Sequence, residues 1–83
     1  MSIADSTLSD YLSALSSGAS TPGGGAVAAL SGAQAASLIS MVANLTKTFP
    51  EEDSKEQLLK TAEVAVATFT SLADQDAAAF AKL

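Results

Sequence analysis

Apolar and polar positions divide the chain into three helical stretches separated by two breaks. Between Thr7 and Ser17, Leu8, Tyr11, Leu12 and Leu15 follow the i, i+3, i+4, i+7 spacing of one helix face. Ser6 or Asp5 suits the N-cap, where a side-chain oxygen accepts from an unpaired first-turn amide. Gly18 supplies the stop, because glycine takes the left-handed conformation without a Cβ penalty. The second stretch, Ala26 to Thr46, carries no charge and is rich in Ala, Leu, Val, Ile and Met. Small residues recur in it every four places, in the rows Ala28, Gly32, Ala36 and Gly25, Ala29, Ala33. That spacing predicts close approach of helix backbones, in a central helix buried on most sides of a tightly packed bundle. From Glu51 to Leu83 a third helix is expected. Leu59, Val66, Ala73 and Phe80 form one heptad row, Ala62, Phe69, Asp76 and Leu83 the complementary one, with Leu58, Ala65, Leu72 and Ala79 as a flank. No strand alternation or internal repeat appears.

The breaks are of two kinds. Ala19 to Gly25 contains Pro22, which pushes Thr21 toward an extended shape, and then three glycines that let the backbone turn and clear away side chains. Lys47 to Asp53 holds Pro50 and then Glu51, Glu52 and Asp53, acidic residues that favour the first turn of the next helix. The sequence stops at Leu83 inside a helical pattern without a cap, the expectation for a piece of a longer domain. The predicted fold is therefore all-α, an antiparallel helical bundle in which residues 1–83 are the N-terminal three helices of a larger all-helical domain.

Composition sharpens this picture. The chain has 83 residues, 48% hydrophobic but dominated by Ala, with few aromatics. Small side chains bury little area, and each Å² returns only about 25 cal/mol, so partner surface is expected, as a homodimer or higher homo-oligomer. Cys, His and Trp are absent, which excludes cysteine nucleophiles, Cys/His zinc sites and imidazole catalysis; no metal site is expected. Four Lys, no Arg and nine acidic residues give a net charge of -5, which argues against nucleic acid and anionic membrane surfaces. The uncharged second stretch is long enough to raise a membrane crossing. Ser31, Gln34, Ser37, Ser40 and Asn44 interrupt it, and no basic flank or aromatic belt marks its ends, so no membrane is expected. The first ten residues lack a basic region and an apolar run, and a cytoplasmic location is the expectation.

Three features could carry chemistry. A Gly-rich loop entering a helix exposes amides beside the positive end of the helix dipole, which suits an anionic or carbonyl-bearing ligand; equally, three glycines make a tight corner. Asp76 places a carboxylate within an apolar seam, where it can serve as a general acid or base, rotate to solvent, or hydrogen-bond a helix end. Asp74, off the seam, is expected in solvent. Ser37, Ser40 and Asn44 fall within roughly 60° of one another on the second helix and could line a cleft; serines there also bond i−4 carbonyls. Lys47 is the cation nearest that strip in sequence, and a solvated lysine is the safer reading.

Ser20-Thr21-Pro22-Gly23-Gly24-Gly25-Ala26-Val27-Ala28-Ala29-Leu30, then Met41-Val42-Ala43-Asn44-Leu45-Thr46, resemble the C-terminal formiminotransferase-cyclodeaminase family. Asp76-Ala77-Ala78-Ala79-Phe80 is similar to that family's DxxAF-type signature. The resemblance spans essentially this whole chain and less than half of the family's all-helical domain. It implies a folate enzyme that either converts 5-formiminotetrahydrofolate to 5,10-methenyltetrahydrofolate and ammonia or acts as a methenyltetrahydrofolate cyclohydrolase. The tetrahydrofolate derivative would be a substrate, with no covalently bound cofactor, held near subunit contacts. By the same resemblance Thr21, Pro22, Gly23, Gly24 and Gly25 lie against the folate with Asn44 and Lys47, and Asp76 takes the acid–base role. With no Arg, the anionic glutamate tails of folates find few partners here. The rival reading is a non-catalytic helical oligomerisation module.

Overall fold

Alanine makes up the buried core of the described residues. The computed structural model describes residues 2–51 and 53–81, with side chains through residue 79. A short 3₁₀ turn, Ile3–Asp5, precedes α1 (Leu8–Ser16), α2 (Gly24–Leu45) and α3 (Ser54–Ala81), and no strand occurs among the described residues. The chain is all-α, as the periodicities predict. Its buried hydrophobic residues are Ala26, Ala33, Ala36, Ala43, Ala62 and Ala73, and no larger side chain among the described residues is fully buried.

Those alanines explain how α2 and α3 pair. On α2 they are spaced as alternate rows of a heptad, Ala26 and Ala33 in one and Ala36 and Ala43 in the other, with half-buried Ala29 and Ser40 completing the rows. This corrects the two four-residue rows expected from the sequence: Ala28 is exposed, and Gly25 and Gly32 flank the seam. Gly25 meets Asp76, and seven residues later Gly32 meets Phe69, seven residues earlier on α3. The pair is thus antiparallel and in heptad register. Glycine inside a helix costs about 1 kcal/mol relative to alanine. At Gly32 the ring of Phe69 takes the vacated space, with Cδ1 2.8 Å from where a Cβ would stand. On α3 the expected rows hold at Leu59, Ala62, Val66 and Ala73, but the flank is half-buried at Ala65 only, with Leu58, Leu72 and Ala79 exposed. Phe80, Leu83 and Glu52 lie outside the residues described.

Helix ends show where local chemistry overrode pattern. Thr7 caps α1, its side chain accepting from the Asp10 amide at 3.0 Å, while Ser6 instead donates to the Ile3 carbonyl at 2.9 Å. Gly18, at φ 87°, ends α1 as expected. The boundary of α2 is the larger correction: Gly24 and Gly25, read as loop, form its first turn, with Gly23 as N-cap. Helix α3 starts at Ser54, one turn after the expected Glu51.

Helix α1 packs differently. It buries no residue, and Leu8 and Leu12 stay 72% and 51% exposed. Between its apolar face and the outer face of α2 runs an open groove of about 850 Å³, lined by Tyr11, Leu15, Leu30, Leu38 and Met41. Helix α2 is buried along one stripe and not, as expected, on most sides: Leu38, Ile39, Met41, Val42 and Leu45 are exposed. By length and composition it is apolar enough to cross a membrane, with a mean hydropathy of 1.6 over its best window. Ser37 satisfies itself on the Ala33 carbonyl at 2.9 Å. The radius of gyration is 15.6 Å, against about 12 Å for a compact domain of this length.

Asp74 was expected in solvent. It instead accepts from the Ile3 amide at 2.7 Å and from the Ser2 hydroxyl at 3.0 Å. One carboxylate therefore caps the 3₁₀ turn and ties the start of the chain to α3.

Candidate functional site

The site is built where the start of α2 crosses α3. The amides of Gly24, Gly25 and Ala26 open the helix, and the first helical bond there runs from the Val27 amide to the Gly23 carbonyl at 3.1 Å. First-turn amides have no acceptor within the helix and form its positive pole. Asp76, half-buried, lays its carboxylate against Gly25 in the space a side chain would fill. The heptad seam delivers it there: Ala73 is fully buried against α2, and one turn further on Asp76 meets the helix end. An apolar seam tolerates a carboxylate at that point because the helix dipole favours negative charge.

Beside this contact lies a shallow cavity of about 540 Å³, floored by Gly25, Ala28 and Ala29 and walled by Phe69, Leu72, Gln75 and Asp76. Its polar side chains are Asp76 and Gln75, and the Gln75 amide nitrogen donates to the Ser71 hydroxyl at 2.9 Å. Gln75 lies off the heptad rows and carries no sequence signal of its own; only the crossing of α2 and α3 brings it to the cavity. A neutral, flat, polar ligand matches these walls better than an anion, because a carboxylate already occupies the helix pole.

The expected site residues separate into two groups. Thr21, Pro22 and Gly23 are half-buried in the turn before α2, and the Thr21–Pro22 peptide bond is cis. Gly24 is exposed, with open space where its Cβ would stand, so a ligand can reach the backbone. These four lead into Gly25 along the chain, but it is Gly25 that meets Asp76, and none of the four lines the cavity. Asn44 and Lys47 lie elsewhere: both are exposed, at the far end of α2. At about 1.5 Å of rise per residue they stand about 30 Å from Gly25, so one copy of this chain does not bring them to the same cavity. Among the described residues, no cluster of three or more acidic or other ligating side chains could hold a metal ion.

Fold and corner together define a class: an antiparallel α-helical protein with a carboxylate-walled cavity at the start of its central helix. Within that class the chain belongs to the formiminotransferase-cyclodeaminase family, whose model matches residues 7–83. It is 44% identical over 78 residues to a methenyltetrahydrofolate cyclohydrolase from Methylorubrum extorquens, an alignment covering 89% of this chain and 38% of that relative. The chain thus spans well under half the length of the curated relative it matches. No solved structure matches it.

Proposed function

We propose that the intact protein is a folate-interconverting enzyme acting as a methenyltetrahydrofolate cyclohydrolase, with this chain forming the N-terminal part of its helical domain. The observation that carries the reading is Asp76, seated on Gly25 at the edge of an apolar cavity, in a chain 44% identical to a cyclohydrolase. Hydrolysis of the methenyl bridge needs water to add to the bridging carbon and lose a proton. The new hydroxyl then gives its remaining proton to solvent and becomes the formyl carbonyl as the carbon–nitrogen bond to N5 breaks, and that nitrogen takes a proton. A carboxylate placed beside the carbon can accept the first proton and return the second. Cyclodeamination by the same site would exchange water for N10 as nucleophile and release ammonia; it is the second reading, and the family supports both.

The turn from Thr21 to Gly25 would carry the pterin, its open backbone at Gly24 giving hydrogen bonds to ring heteroatoms. Phe69 and Leu72 offer the apolar wall that a flat ring needs. The glutamate tail is not held at this corner. Asn44 and Lys47, remote within one copy, serve the folate only if a neighbouring subunit places them at the cavity, which ties this proposal to a homodimer or higher oligomer. A cytoplasmic location, without nucleic-acid or membrane partners, accompanies this reading.

The test is turnover of methenyltetrahydrofolate, followed by its absorbance, in the intact protein and in Asp76→Asn. The variant should lose about 10²–10⁴-fold in kcat, the usual contribution of a general acid–base group. A loss confined to KM would make Asp76 a binding group. Association without folate binding or turnover would establish instead a non-catalytic oligomerisation module.

A further inference from the structure

The three glycines before and within α2 have different reasons to be glycine, and only one reason concerns Asp76. None of Gly23, Gly24 and Gly25 has a positive φ, so backbone conformation does not require glycine at any of them. A Cβ at Gly24 would meet open space, and at Gly23 only the Ser20 carbonyl at an ordinary 3.5 Å. At Gly25 it would collide with all three carboxyl atoms of Asp76. Helix propensity disfavours glycine there as well.

We infer that Gly25 is a positioning residue: it keeps vacant the volume that holds the Asp76 carboxylate over the first turn of α2, and does not itself need to touch the folate. This role rests on the acid–base reading of Asp76 proposed above. The obstacle to a methyl group at Gly25 is the far end of a short side chain, so the backbone need not move. The carboxylate swings away instead. Displacing a reacting group by about 1 Å can cost on the order of 10²-fold in rate.

A double-mutant cycle on the intact protein tests this, using Gly25→Ala, Asp76→Asn and their combination, with kcat and KM for methenyltetrahydrofolate and thermal unfolding of each. Gly25→Ala should lower kcat by about 10²-fold while leaving KM within a few-fold and the cooperative unfolding transition intact. The double variant should be no slower than Asp76→Asn alone, because nothing remains to position. An equal loss in both backgrounds, or native kcat in Gly25→Ala, overturns the positioning role and leaves the acid–base reading standing. Native kcat in Asp76→Asn overturns the acid–base reading and the positioning role with it. Stability supplies a second cycle should Gly25→Ala fold poorly. In an Asp76→Ala background, where the carboxyl is gone, Gly25→Ala should raise Tm. A drop in Tm there of the same size as in the native background overturns the steric link.

Discussion

The seam between α2 and α3 and the groove between α1 and α2 invert the usual distribution of side chains. Among the described residues the seam fully buries only alanines, while the groove and the outer face of α2 leave Leu8, Leu12, Leu38, Met41 and Leu45 at half exposure or more. Small residues let two long helices approach closely along their length, but each returns little apolar burial. The larger side chains of α1 and of the outer face of α2, which would stabilise more, face outward. Close packing here organises geometry, and the larger apolar surface stays exposed. The 49 Å length of the particle, more than twice its other dimensions, fits that division of labour.

The sharpest way to break the comparison is to enlarge the seam. Ala33→Leu puts three extra carbons between α2 and α3 where a close-packed interior has no room, and should cost about 1–3 kcal/mol or more in urea unfolding of the intact protein. A loss below about 0.5 kcal/mol would mean that the seam is loosely packed. Asp74→Asn should cost less, about 1 kcal/mol, by weakening the acceptor of the Ile3 amide and Ser2 hydroxyl, and should speed hydrogen exchange at the Ile3 amide. Unchanged exchange there would sink the tether between the 3₁₀ turn and α3. The smallest effect is expected on the other side of the comparison. Leu12→Ser, half exposed on α1, should shift the stability of this chain by no more than about 0.5 kcal/mol. A larger loss in the intact protein would show that the α1 face is covered there.

Much of the fold was legible because helical periodicity is local. The heptad rows of α3 predicted the faces of Leu59, Ala62, Val66 and Ala73, and Gly18 ended α1 where its conformational freedom implied. The seam on α2 is not legible in the sequence, for a physical reason. Where nearly every residue is small, several rows look equally suited to close packing, and hydrophobicity does not rank Ala26 above Ala28. Which row is buried depends on the partner, and only docking against α3 selected Ala26, Ala33, Ala36 and Ala43. Glycine is a poor helix former, so residue types favour loop at Gly24 and Gly25; α2 accepts them because the first turn needs few internal hydrogen bonds and Gly25 has a neighbour to accommodate.

The candidate site divides in the same way. Residue types alone marked the glycine turn as open to a ligand and Asp76 as a charge out of place in an apolar row, since both judgements follow from steric freedom and desolvation along the chain. Three things were decided only by the tertiary structure: that the two features meet, that Gln75 joins them, and that Asn44 and Lys47 stand at the opposite end. Likewise Asp74, two residues from Asp76, ties down the chain start, because about 100° per residue sends the two carboxylates to different sides of α3. Sequence determines which residues can make helices and what chemistry they hold. Contacts between residues fifty or more apart are set by how the helices dock, since the shape of an apolar face does not name its partner until the two are packed together.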